Sequence, residues 1–119
     1  METTVEQQDS RDQPARIGIS SLEELLMMTL LDNQVYGWQI VKAIKEVSGG
    51  TLLIGAGSLY PTLQRLEKAK GLVESRWGDD KPEDQRGARK RYYNLTELGV
   101  SALKEAQQLR YNLMAWQPT

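Results

Sequence analysis

The run Gly55-Ala56-Gly57-Ser58-Leu59-Tyr60-Pro61-Thr62-Leu63-Gln64-Arg65-Leu66-Glu67 restricts the fold more than any other part of this chain. Leu59, Leu63 and Leu66 stand at i, i+4 and i+7, so a helix places them on one buried stripe. The opposite side carries Ser58, Pro61, Gln64, Arg65 and Lys68, which are small, polar or basic, with no acid among them. Such a face suits phosphate oxygens and base edges. A proline inside a helix lacks a donor and crowds the carbonyl four residues back, and two starts are open. With Ser58 as N-cap, Pro61 falls at the third helical position, where a backbone N–H would have no intrahelical partner. With a start nearer Gly55, Pro61 kinks the helix. Either way, the glycine run lets backbone approach another surface closely, and a helix N-terminus attracts anions. Taken alone, the stretch also reads as a helical connector with a glycine entry turn.

The residue types that are missing narrow the chemistry. With no His and no Cys in 119 residues, the chain cannot build a Ser-His-Asp site, a Cys nucleophile or a zinc site of the common ligand types. No carboxylate pair has apolar neighbours of the kind that raise a pKa. An enzyme is therefore not expected, nor a metal or cofactor. The length predicts one domain. No apolar run approaches the ~18 residues of a membrane span, the first residues lack a signal-peptide pattern, and the absence of cysteine agrees with a cytoplasmic location. Fifteen Lys and Arg against sixteen Asp and Glu give a net charge of -1, too little positive charge to coat nucleic acid in bulk. The distribution says more than the sum. Acids gather at Glu2, Glu6, Asp9 and Asp12 and again at Asp79, Asp80, Glu83 and Asp84, whereas Arg86, Arg89, Lys90 and Arg91 form an acid-free run.

Taken in order, residues 1–17 are polar and poor in large apolar groups, which predicts a flexible N-terminal tail. Ser20 to Glu23 and Ser21 to Glu24 are overlapping capping-box patterns that open a first helix, apolar at Leu22, Leu25, Leu26 and Leu30, with Met27 and Met28 beside that face. Asp32 to Gly37 turns the chain. A second helix follows from about Trp38 to Val47, with Trp38, Val41 and Ile44 on one side, and Ser48-Gly49-Gly50 stops it. Thr51-Leu52-Leu53-Ile54 reads as a short strand. After the Pro61 helix, Lys70-Gly71 ends the helix, Leu72 to Trp77 reads as a strand, and Arg91 to Leu95 reads as its antiparallel partner, Tyr93 and Leu95 facing the core. The segment between, Gly78 to Ala88, is long for a hairpin loop. Thr96 caps a last helix reaching about Trp116, whose Leu98, Ala102, Ala106, Leu109, Leu113 and Trp116 approach a heptad seam. At some 30 Å it outruns a small domain, so its distal half calls for a second copy.

The fold class predicted is mainly α with a small β-hairpin: a winged helix-turn-helix over 18–95, then a dimerisation helix over 96–119. The sequence resembles the PadR family of bacterial transcriptional regulators through Tyr36-Gly37, the run Gly57 to Glu67, Lys70-Gly71-Leu72-Val73, and Arg89-Lys90-Arg91-Tyr92-Tyr93-Asn94-Leu95-Thr96-Glu97-Leu98-Gly99. Residues 21–116 are spanned, and it is these motifs together, in order, that are specific. The resemblance implies a homodimer that represses from a near-palindromic operator and is released by a small aromatic or drug-like effector. By position, it puts Ser58, Tyr60, Pro61 and Arg65 on or beside the DNA-facing helix and Lys90, Arg91 and Tyr92 on the wing, although helical spacing places Tyr60 at the edge of the core. Gln64 and Arg65 are the candidates for base edges, and Ser58, Lys68, Lys90 and Arg91 for phosphates. Past the acidic loop, Arg86 and Arg89 to Arg91 are expected to reach double-stranded DNA. Met27, Met28 and the seam of the last helix are expected at the dimer interface. The competing class is a winged-helix protein-interaction module that does not bind DNA.

Overall fold

Residues 18–79 and 89–119 are described by a computed structural model of the chain. The N-terminal tail expected over 1–17, the acids Asp80, Glu83 and Asp84, and Arg86 lie outside those residues. Among the described residues, four α-helices and a three-stranded antiparallel sheet follow one another as α1 (Ser21–Thr29), β1 (Val35–Tyr36), α2 (Gly37–Val47), α3 (Ala56–Gln64), β2 (Val73–Trp77), β3 (Arg91–Leu95) and α4 (Glu97–Ala115). Of the two capping boxes, the chain uses Ser20 with Glu23: the Ser20 hydroxyl accepts from the Glu23 amide at 3.1 Å, and the Glu23 carboxylate accepts from the Ser20 amide at 2.8 Å.

The core is one cluster in which Leu26, Met27 and Leu30 of α1 meet Ile40 and Ile44 of α2, Leu59 and Leu63 of α3, and Leu66, Leu72, Val73, Tyr93 and Leu103. The leucine stripe of the central run is thus buried as its spacing requires, each such side chain contributing about 1.5–3 kcal/mol. Val73 pairs with Leu95 and Trp77 with Arg91 across the wing hairpin. Thr96 caps α4, its hydroxyl accepting from the Gly99 amide at 3.0 Å, and its own amide donates to the Leu72 carbonyl at 3.0 Å, tying the helix to the foot of β2.

Two expectations need correction, one open choice is decided, and two features were not foreseen. The helix of the central run starts at the earlier of the two positions, with Gly55 as N-cap, so Pro61 is its sixth residue and lies inside it. The helix does not stop at Gln64 but widens into a π-turn over Arg65–Ala69, closed by the Lys70 amide on the Arg65 carbonyl at 3.1 Å. Thr51 to Ile54 is not a strand: it leaves a turn in which Gly49 and Gly50 both have positive φ and runs straight into the α3 cap, with Leu52 and Leu53 exposed. The third strand is Val35–Tyr36, which takes the free edge of β3 in the order β1-β3-β2. Finally, Trp38 is not on the buried side of α2. Gly37, Ile40 and Ile44 fill that side, and Trp38 is 58% exposed.

Candidate nucleic-acid interface

On α3 the residues opposite the leucines are open to solvent: Ser58, Pro61, Gln64 and Lys68. Tyr60 is half exposed, and the phenol end of its ring lies against Gly37 at the start of α2, where a Cβ would meet the phenol oxygen at 2.5 Å. The ring thus packs at the edge of the domain, as helical spacing suggested, with about half of it exposed.

Arg65 has a different first role from the one expected. Its Nε donates to Glu23 Oε2 at 2.9 Å, and Lys70 Nζ donates to the other oxygen of the same carboxylate at 2.8 Å. The wide turn Arg65–Ala69 is thereby gripped at both ends by one acid of α1 that is 1% exposed. Burial pushes the Glu23 carboxyl up, but the hydrogen bonds from Lys70, the Ser20 amide and Arg65 outweigh it and hold the pKa at about 2. Arg65 thus fastens the C-terminal end of α3 to α1. Gln64 and Lys68 are exposed on that face.

The wing divides its cations between two faces. On the outer face the Tyr36 and Tyr92 rings meet edge to face at 5.6 Å, Lys90 Nζ stands 5.3 Å from the Tyr36 centroid, and the Arg76 guanidinium lies 5.4 Å from that of Tyr92. Gln34 holds Arg76 in place, accepting from Nη2 at 2.7 Å. On the inner face Arg91 donates from Nε to the Ser75 hydroxyl at 2.9 Å, stacks 5.1 Å from the Trp77 centroid and lies 3.9 Å from Glu67. The Ser75 hydroxyl bonds Glu67 in turn at 2.8 Å. Arg91 thus clamps the hairpin to the end of the recognition helix, while Arg89 sits 5.7 Å from the Trp77 centroid near the wing tip. Alternation along β3 puts Arg91 and Tyr92 on opposite faces. The basic run Arg89-Lys90-Arg91 is therefore not one continuous stripe. Arg76 and Tyr36 were missed by sequence reasoning, although the alternation of β2 about Val73, Ser75 and Trp77 would have turned Arg76 outward.

The residues expected at a dimer seam also separate. Met27 is fully enclosed and Ala102 is buried, both packed within the protomer, so neither offers surface to a second copy. Leu98, Leu109, Leu113 and Trp116 are exposed, as is Met28, and Ala106 is half-buried. Arg110 secures α4 to α1 by donating from Nε to Glu24 at 2.8 Å, and every residue after it is open to solvent.

A transcription-factor structure from Bacteroides fragilis, PadR-like, shares this fold with a TM-score of 0.68 and 27% identity, covering 94% of this chain and 93% of its own. PadR of Bacillus subtilis, solved in complex with operator DNA, superposes with a TM-score of 0.63 at 22% identity over 84% of this chain and 51% of that one, a likeness of fold. In sequence, an uncharacterized protein of Lysinibacillus sphaericus is 31% identical over 84 residues, which are 71% of this chain and 72% of that protein. The family described as the transcriptional regulator PadR-like family matches residues 26–105, from the core leucines of α1 to the middle of α4. With a winged helix-turn-helix built around an acid-free α3 face, and a family match that runs from within α1 through the wing into α4, the chain belongs to the PadR-like family of DNA-binding transcriptional regulators.

Proposed function

We propose that this protein is a homodimeric repressor that reads a near-palindromic operator with α3 and its wing and releases it in response to a small flat apolar effector. The observation that carries the reading is the open face of α3: Ser58, Pro61, Gln64 and Lys68 are all exposed, with no acid among them, beside a wing that presents Lys90 and Tyr92. Gln64 is the remaining base-edge candidate on α3 whose side chain is not fastened within the protomer, and it suits adenine; Ser58, Lys68 and Lys90 suit phosphates. Residues 18–95 form the DNA-binding unit and 96–119 the dimerisation helix. The distal half of α4 supports a second copy, because Leu109, Leu113, Met114 and Trp116 are exposed among the described residues. Two such subunits would set their α3 helices about one helical turn, roughly 34–36 Å, apart. An open concavity between α1 and α4, lined by Leu25, Met28, Tyr111 and Met114 together with the Glu24–Arg110 pair, supports a flat ligand at the seam.

Selection of bound sequences from random duplex DNA tests this, followed by binding of the enriched site at two salt concentrations. An inverted repeat with half-site centres about one turn apart, bound more weakly as salt rises, is the expected result. Absence of any enriched sequence would refute it and leave a winged-helix module that engages a protein.

A further inference from the structure

The last helix is packed at its base and then leaves the domain. Thr96 donates to the Leu72 carbonyl, Gly99 packs against that carbonyl, and Ala102 and Leu103 are buried, whereas every residue past Ala106 is exposed. Among the described residues the hydrogen bonds that tie this outer half to another element come from Arg110, whose Nε donates to the two Glu24 oxygens at 2.8 and 3.1 Å. The Glu24 side chain is 7% exposed. Open concavities lie along both flanks of α4 here, each bordered by Glu24 and Arg110. One ion pair thus bridges a gap that apolar packing leaves open.

The residue before Glu24 holds the other end of the connection. Glu23 receives Arg65 and Lys70 from the end of α3. Ser20 joins the two acids: its amide donates to the Glu23 carboxylate at 2.8 Å, its hydroxyl accepts from the Glu23 amide at 3.1 Å, and its carbonyl accepts from the Glu24 amide at 2.9 Å. Adjacent helical residues point about 100° apart, so the first turn of α1 grips α3 on one side and α4 on the other.

We infer that the Arg110–Glu24 pair determines which half-site spacing the protein accepts: it fixes the direction of α4 against the unit that grips α3, and so how far apart a dimer sets its two recognition helices. Neither residue touches DNA in this role. The lever is long enough. Arg110 stands about 16 Å along the helix from Gly99, so a swing of about 10° about the base displaces it by roughly 3 Å. One base pair rises ~3.4 Å. Symmetry repeats the error in the second subunit. The inference rests on the reading that α4 dimerises and α3 recognises DNA, and it gives a seam ligand a means of release: parting Arg110 from Glu24 spoils the spacing while α3 keeps its own fastening to Glu23.

The test uses full-length protein and fluorescein-tagged duplexes carrying the selected inverted repeat, with its half-sites moved together or apart by one and two base pairs. Each base pair also turns a half-site by roughly 35°. A half-site out of reach forfeits the gain from double engagement, so the parent should bind the worst duplex roughly a hundredfold more weakly than the best, by label anisotropy. Arg110→Ala should remain a dimer in sedimentation equilibrium and keep the parent's base preference within each half-site, yet spread less than about tenfold across the series. Glu24→Gln should behave likewise, and Arg110→Lys, which keeps the charge, should regain part of the discrimination. A merely structural role would lower the melting temperature and weaken every duplex by one factor. A dimeric Arg110→Ala variant with the parent's spacing preference would overturn the inference, as would a monomeric one, which would place Arg110 in the dimer contact itself. A parent that is monomeric, or that enriches no inverted repeat, would overturn the homodimer reading and this inference with it.

Discussion

Replacing Glu23 by Gln should remove the acid-sensitive part of this protein's stability, and the size of the loss follows from the site. In the folded chain the Glu23 carboxylate receives Arg65 Nε at 2.9 Å, Lys70 Nζ at 2.8 Å and the Ser20 amide at 2.8 Å, which holds its pKa at about 2 against the ordinary 4.5. A depressed carboxylate pKa stabilises the folded state above 4.5, and that stabilisation drains away as pH falls from 4.5 through about 2. At ~1.4 kcal/mol per pH unit the interval amounts to about 3 kcal/mol, and since the side chain is 1% exposed, little of it is screened by solvent. Urea unfolding followed by circular dichroism, at fixed protein concentration and at several pH values between 7 and 2, measures it. The parent should lose about 3 kcal/mol more than Glu23→Gln over that range, and the two should converge at the acid end. A parent and a variant whose stabilities fall in parallel with pH would refute the assignment, because some other carboxylate would then carry the acid dependence. The same variant releases Arg65 and Lys70 from α1, so it also reports whether the wide turn Arg65–Ala69 must be held for α3 to bind DNA.

Other expected outcomes follow from particular contacts. Gly99→Ala drives a Cβ into the Leu72 carbonyl oxygen, a backbone atom already fixed by the Thr96 amide; calorimetry should show a melting temperature lower by about 10 °C or more. Gly37→Ala pushes against the Tyr60 ring, and since a side chain can swing where backbone cannot, it should fold but bind duplex DNA several-fold more weakly by anisotropy; unchanged binding would show that the position of Tyr60 is immaterial. Leu113→Glu places a charge in the exposed apolar row of α4 and should give a monomer in sedimentation equilibrium while leaving the circular dichroism of the domain intact; a dimer that persists would move the interface elsewhere. Lys68→Ala should weaken every duplex alike and flatten the salt slope by about 0.9, whereas Gln64→Ala should relax preference at one operator position. Identical behaviour of those two variants would refute their division of labour.

Features set by neighbours along the chain were readable from the residues. Spacing of Leu59, Leu63 and Leu66 placed the buried side of α3, Ser20 and Glu23 marked the start of α1, Thr96 marked the start of α4, and alternation paired Val73 to Trp77 with Arg91 to Leu95. Each depends on a period or on a cap three residues away, so the information is local. The early start of α3 and its passage into a π-turn were not decided that way. Both candidate caps obey the local rules, and tertiary packing chose between them.

The partners of the basic residues were beyond sequence in the same sense. Arg65 reaches a glutamate 42 positions away, Lys70 one 47 away and Arg110 one 86 away. No periodicity encodes such separations, so side chains that look free for DNA turn out to be fasteners. The third strand at Val35–Tyr36 likewise exists because β3 has an open edge there. By itself the sequence determined the class of protein, the order of its elements and the face of the recognition helix, because helix and strand periods and caps act over a few residues. Only the tertiary structure decided which cations are fastened to acids far along the chain, which methionine and alanine are sealed in the core, and that Trp38 stands in solvent, because those depend on what the folded chain brings within a few ångströms.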